Sequence, residues 1–237
     1  MVYQLSRESA GTREERAARV RAELAESGVD SFEALVDRLA DSDPPLSHED
    51  HVMMIGATDG GISVAPRPHQ PPEMRVVIDG EANEPETVRE FDGQPLYSTP
   101  GLDKKGSLLL YSFTSLRGLN SHLLAAPRHD IGTTNPDSLP ELSYYYEHED
   151  GGGDWLQNGP GRAWADLRRV PRGFLHTGDW NDIISSVNWC RWDVSVWDRP
   201  NYQGSQLYLP AGQTYYHLSQ FGWNDCVSST ANWGRRF

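Results

Sequence analysis

One seven-residue segment of the chain returns almost unchanged. Trp180-Asn181-Asp182-Ile183-Ile184-Ser185-Ser186 reappears 43 residues later as Trp223-Asn224-Asp225-Cys226-Val227-Ser228-Ser229, with five of seven positions identical. Asn188-Trp189 is echoed by Asn232-Trp233. A period of this size with strand-like stretches inside it marks duplicated supersecondary units that bury their apolar faces on each other. In the second unit, Val194-Ser195-Val196-Trp197-Asp198 reads as a strand and Arg199-Pro200-Asn201 as a turn. Ser205-Gln206-Leu207-Tyr208-Leu209 then alternates, and Pro210-Ala211-Gly212 turns again. Each unit is therefore expected to be an antiparallel module of about four strands, and two such modules pack as a sandwich.

The rest of the 237 residues differs in composition. All eight tryptophans and both cysteines lie at or after Trp155, and seven of ten tyrosines at or after Tyr144. Before that point the chain is aromatic-poor. Thr12 with Glu15 forms a capping box ahead of Ala17, Val20 and Leu24, and Gly28 ends that helix. Asp30 with Glu33 repeats the box ahead of Leu35, Val36 and Leu39. Val52–Ile55 and Ile62–Val64 flank Asp59-Gly60-Gly61 as a hairpin. Arg75–Ile78 and Leu108–Tyr111 read as strands, and a helix starting near Thr114 carries Leu116, Leu119, Leu123 and Leu124. The expected organisation is an α+β domain over 1–132, a Pro/Asp/Ser-rich linker over 133–142, and an all-β Greek-key sandwich over 143–237.

Trp197-Asp198-Arg199-Pro200-Asn201-Tyr202-Gln203-Gly204 resembles the Greek-key signature of the βγ-crystallins: an aromatic, a folded hairpin, a second aromatic, one residue, and glycine. Asn181-Asp182-x-x-Ser185-Ser186 and Asn224-Asp225-x-x-Ser228-Ser229 resemble that family's calcium motif. Aligning Tyr146 with Trp197 puts Gly153 on Gly204, but Gly151 then replaces the second aromatic, which predicts a looser hairpin over Tyr146–Gly153. The resemblance covers 143–234 and implies a C-terminal sandwich of βγ-crystallin type.

Calcium takes six to eight oxygen ligands, more than one such loop supplies. The resemblance implies two calcium sites in which each motif completes the other's shell. It nominates the side chains of Asp182 and Asp225, the carbonyls of Ile183 and Cys226, and the hydroxyls of Ser185 and Ser228. It adds the carbonyls of Glu147 and Asp198, and gives Asn181, Asn224, Ser186 and Ser229 a part in loop shape. Read without the family, Asn-Asp and Ser-Ser are also ordinary turn formers.

Thirty-four acidic residues against 21 basic ones give a formal charge of −13, which argues against a nucleic-acid partner and suits one that attracts cations. No apolar run reaches the length of a membrane span. The first residues carry no secretory segment, so the expected location is cytoplasmic unless the chain is already processed and secreted. Cys190 and Cys226 are either two thiols, the reading a cytoplasmic location favours, or one disulfide in an oxidising compartment. His48-Glu49-Asp50-His51 lacks zinc-protease order, His148 reads as part of a solvated acidic hairpin, and no phosphate loop or nucleophile elbow occurs. The regular placing of Trp180, Trp223, Trp189 and Trp233 reads as core and corner packing rather than sugar stacking. The expectation is a calcium-binding protein rather than an enzyme. A peptidase partner, as for the small bacterial metallopeptidase inhibitors of this fold that the C-terminal half also resembles, is the alternative. A further alternative is an enzyme or toxin active in its N-terminal half.

Overall fold

The computed structural model describes residues 66–125, 136–172 and 178–234. The helices expected from Thr12 and Asp30, the hairpin around Asp59 and the His48–His51 cluster lie outside these residues.

The duplicated half is two interlocked units. The first contributes β5 (Ser143–Tyr146), β6 (Trp155–Asn158), β7 (Arg162–Trp164) and β10 (Ser186–Cys190). Between β7 and β10 lies a small ribbon of β8 (Pro171–Arg172) and β9 (Gly178–Asp179). The second unit contributes β11 (Val194–Arg199), β12 (Gln203–Leu209), β13 (Gln213–Tyr215) and β14 (Ser229–Asn232). The third strand of each unit crosses to the other's sheet: one sheet runs β13-β10-β5-β6, and the other contains β12-β11-β14-β7. Neither sheet is complete without the other unit.

Between the sheets lie Tyr145, Leu156, Ile184, Val187, Val194, Val196, Leu207, Leu209, Leu218 and Val227, all buried. Strand alternation places four of them, Val194, Val196, Leu207 and Leu209, which are fully buried. Trp180 and Trp223, equivalent in the repeat, are also buried. Trp189 is not core: it is 38% exposed and meets Tyr144 edge-on with ring centroids 5.0 Å apart. Cys190 and Cys226 are buried free thiols.

Residues 66–125 extend this architecture. β1 (Val76–Ile78), β2 (Glu81–Asn83), β3 (Tyr97–Leu102) and β4 (Leu108–Phe113) are followed by α1 (Leu116–Ala125). Val76–Ile78, β4 and α1 fall where the sequence predicts two strands and a helix; α1 buries Leu119 and leaves Leu124 exposed. β3 pairs in parallel with β12, Tyr97 opposite Gln206 and Ser98 opposite Leu207, which makes an eight-stranded sheet β2-β1-β4-β3-β12-β11-β14-β7. Val76, Ile78, Val88, Leu96 and Leu110 belong to the same apolar core as the duplicated half. The sheet thus runs across the boundary expected at 133–142, where Pro136–Ser138 form a short helical turn. Among the described residues no helix is long and apolar enough to cross a membrane.

Candidate metal centre

The repeated segments are loops that lie side by side at the end of the sandwich. Asp182 and Asp225 both take left-handed backbone conformations, φ 62° and 52°, which Asp tolerates better than most residues. The loops exchange backbone bonds: Asp182 N–H donates to the Val227 carbonyl at 2.9 Å, and Asp225 N–H to the Ile184 carbonyl at 3.3 Å. Ser185 N–H donates to Tyr146 O at 2.9 Å and Ser228 N–H to Trp197 O at 2.8 Å, which fastens each loop to the first strand of its own unit.

The folded hairpins supply the facing side. Asp150, Gly151 and Gly153 have φ of 56°, 73° and 76°; Asn201, Tyr202 and Gly204 have 58°, 61° and 76°. The first hairpin therefore repeats the left-handed positions of the second despite its missing aromatic. A side chain at Gly151 has no room there, because Asn188 Nδ2 lies 2.6 Å from where its Cβ would stand. Ser186 Oγ donates to His148 O at 2.8 Å and accepts from Gly151 N–H at 3.2 Å. Ser229 Oγ does the same with Arg199 O at 2.8 Å and Tyr202 N–H at 3.1 Å.

Two oxygen clusters result. In the first, Ser185 Oγ lies 2.8 Å from Glu147 O and 3.0 Å from Asp225 Oδ1. In the second, Ser228 Oγ lies 3.2 Å from Asp198 O and 3.3 Å from Asp182 Oδ1. Each cluster draws its carboxylate from the opposite unit. Asn181 Nδ2 donates to Asp182 Oδ2 at 2.5 Å and Asn224 Nδ2 to Asp225 Oδ2 at 2.8 Å, which orients both carboxylates. The Oδ1 atoms of Asn181 and Asn224 are buried without a hydrogen-bond partner. Ile183 and Cys226 occupy the loop positions after the aspartates, and the reciprocal backbone bonds pass over their carbonyls to those of Ile184 and Val227. The Cys226 side chain points into the core, where burial raises its thiol well above the usual range.

Donor accounting bears on the chemistry. A serine hydroxyl has one proton, while Glu147 O and Asp225 Oδ1 are both acceptors within 3.0 Å of Ser185 Oγ. Only one of the two approaches is a hydrogen bond at any moment; the other oxygen is left facing oxygen. Oxygens about 3 Å apart are the spacing of neighbouring ligands around a cation held at 2.3–2.6 Å. The donor set is carbonyl, hydroxyl and carboxylate, the hard oxygens that calcium takes. Among the described residues no group of three His, Cys, Asp or Glu side chains forms a metal cluster.

Two arginines distinguish the clusters. Arg172 bonds the Glu147 carboxylate, which also accepts from Asp154 N–H at 3.3 Å. That carboxylate is not in the oxygen cluster; the Glu147 carbonyl is. Arg67 bonds the Asp182 carboxylate itself, and its backbone N–H donates to Asp198 Oδ2 at 2.9 Å. Asp198 is 4% exposed, and burial raises its carboxyl above the usual value although Arg67 and Ser205 N–H groups both donate to it. Sequence reasoning missed Arg67, which lies 115 residues from Asp182 and in no motif.

No family model matches the chain, and no curated protein matches it. Among solved structures it is similar to a βγ-crystallin from Ciona intestinalis, with 24% identity over 38% of this chain and 98% of that one and a TM-score of 0.31. It is similar to a structure described as "Evolution of the eye lens beta-gamma-crystallin domain fold", with 21% identity over 40% of this chain and 88% of that one and a TM-score of 0.32. It is also similar to a βγ-crystallin from an archaeon, with 21% identity over 38% of this chain and 95% of that one and a TM-score of 0.30. All three neighbours are βγ-crystallin domains.

Proposed function

We propose that the chain is a calcium-binding protein whose paired loops hold the ion and are stabilised by it. The observation that carries this reading is the first cluster, where a hydroxyl, a main-chain carbonyl and a carboxylate from opposite units converge with too few protons to satisfy one another. Asp225, Ser185 and the Glu147 carbonyl would hold the ion there, with the Ile183 or Cys226 carbonyl and water completing the shell. Asp182, Ser228 and the Asp198 carbonyl form the equivalent second set. A calcium ion supplies the positive charge that lets these oxygens approach. It also links two units whose loops otherwise meet through two backbone bonds and the Ser185–Asp225 and Ser228–Asp182 side-chain contacts.

An ion that binds only the folded chain adds about 2.7 kcal/mol at 100 times its Kd. The test is a calorimetric calcium titration of the chelator-stripped chain with thermal melts beside it. Saturable heat and a melting temperature that rises with calcium are expected, and both are weakened in Asp225→Ala. No heat and no shift at millimolar calcium would overturn the reading.

A further inference from the structure

We infer that Arg67 is the resident cation of the second cluster, so that the chain takes one calcium ion at Asp225, Ser185 and the Glu147 carbonyl and a second only when Arg67 is displaced. This rests on the calcium reading above. The two clusters match bond for bond in their hydroxyls, carbonyls, orienting asparagines and hairpins. They differ at the shared carboxylate: Asp182 Oδ2 takes the Arg67 guanidinium in addition to its asparagine, whereas among the described residues Asp225 Oδ2 takes its asparagine alone. Among the described residues no ion pair reaches Asp225.

Arg67 does not arrive as a free surface side chain. Its own N–H is held by Asp198, the residue whose carbonyl belongs to the same cluster. The segment beyond it is strapped down: His69 N–H donates to Asp92 Oδ1 at 2.6 Å, and Glu73 N–H to the Gln220 carbonyl at 2.8 Å. Gln70 O passes so close to Gly222 that a Cβ there would lie 2.0 Å from it. The guanidinium is thus a tethered competitor, already positioned on the carboxylate of Asp182. The guanidinium holds Oδ2 while Oδ1 faces Ser228, and a monovalent cation on the carboxylate offsets the charge that draws a divalent one, so the two cations repel across the same carboxylate. Both partners keep partial solvent access, Arg67 31% and Asp182 26% by side chain, so the contact is screened enough to be displaced.

The test is the calcium titration of the stripped full chain beside Arg67→Ala and Arg67→Gln, with melts in chelator to establish that each variant folds. One site is expected in the parent and two in either variant, the second at least about tenfold tighter than any second site in the parent, because the competing charge is gone. Adding Asp182→Ala to Arg67→Ala is expected to return the count to one. Two comparable sites in the parent would overturn the inference while leaving the calcium reading intact. A single site in parent and variants alike would also overturn it. No binding in any of these proteins would overturn the calcium reading, and the inference with it.

Discussion

The Ser185 hydroxyl lies 3.0 Å from Oδ1 of Asp225, 40 residues further along the chain and in the other unit. Its neighbour Ser186 turns to the hairpin instead, with contacts to His148 O and Gly151 N–H. Adjacent serines therefore have separable tasks. Ser185→Ala is expected to weaken calcium binding at least about tenfold by removing one oxygen of the shell, with little change in the melting temperature of the calcium-free chain. Ser186→Ala is expected to lower that melting temperature, at a cost of about 1–3 kcal/mol, because two backbone groups lose their partner. Calorimetry and chelator melts on the pair separate the effects.

Gly204 has φ 76°, and a Cβ there would stand 1.9 Å from Asp198 Oδ1. Gly161 has φ 70° with nothing within 4 Å of its Cβ position. Gly204→Ala is expected to cost about 3 kcal/mol or more in denaturant unfolding, through clash as well as backbone strain, and Gly161→Ala about 1 kcal/mol through strain alone. Equal costs would mean that the hairpin relaxes around the methyl group.

Glu149 sits on the first hairpin. The Ser219 hydroxyl and then His217 hold its carboxyl below the ordinary glutamate value of 4.5. A carboxyl lowered by folding stabilises the protein above its ordinary value, and that contribution is lost as pH falls through the lowered one. Glu149→Gln is therefore expected to flatten the acid side of the melting-temperature profile and to leave the profile above pH 7 nearly parallel to the parent's. An unchanged acid slope would assign the acid sensitivity to other carboxylates.

Leu96 and Ser205 are joined by a buried hydrogen bond of 3.1 Å beside the β3–β12 pairing. A fragment beginning at residue 136 would expose the whole edge of β12 and the apolar surface under Val76, Val88 and Leu96. Such a fragment is expected to melt lower than the full chain and to self-associate in analytical ultracentrifugation. A monomeric fragment with the full chain's stability would show that the N-terminal strands only lean on the sandwich.

How much of this was legible depends on distance along the chain. Asn181-Asp182 and Ser185-Ser186 could be read because their roles are local: a left-handed turn and two short side chains within six residues. The hairpin at Gly204 was legible for the same reason. The Asp79-Gly80 turn between β1 and β2, with φ of 48° and 93°, carried a readable hairpin signal that the expected strand at Arg75–Ile78 did not use. β3 was invisible because Pro100 and Gly101 interrupt any strand pattern in Tyr97–Leu102. Arg67 was invisible because a single arginine at long range has no periodicity, and the parallel pairing of β3 with β12 has none either.

The exchange of β7 and β13 between sheets bears on how the chain acquires its structure. β14 cannot complete its ladder until β7, from the other unit, is in place, and β10 likewise waits for β13. The joint between Leu96 and Ser205 closes a span of 109 residues. Contacts of such length form late, because the loops they close must lose their freedom before the ladder rewards it. The ordering of the two repeated loops, which need both units docked, thus belongs to the end of the folding reaction. An ion held by those loops, as proposed, would slow the chain's escape from the native state far more than it would speed arrival.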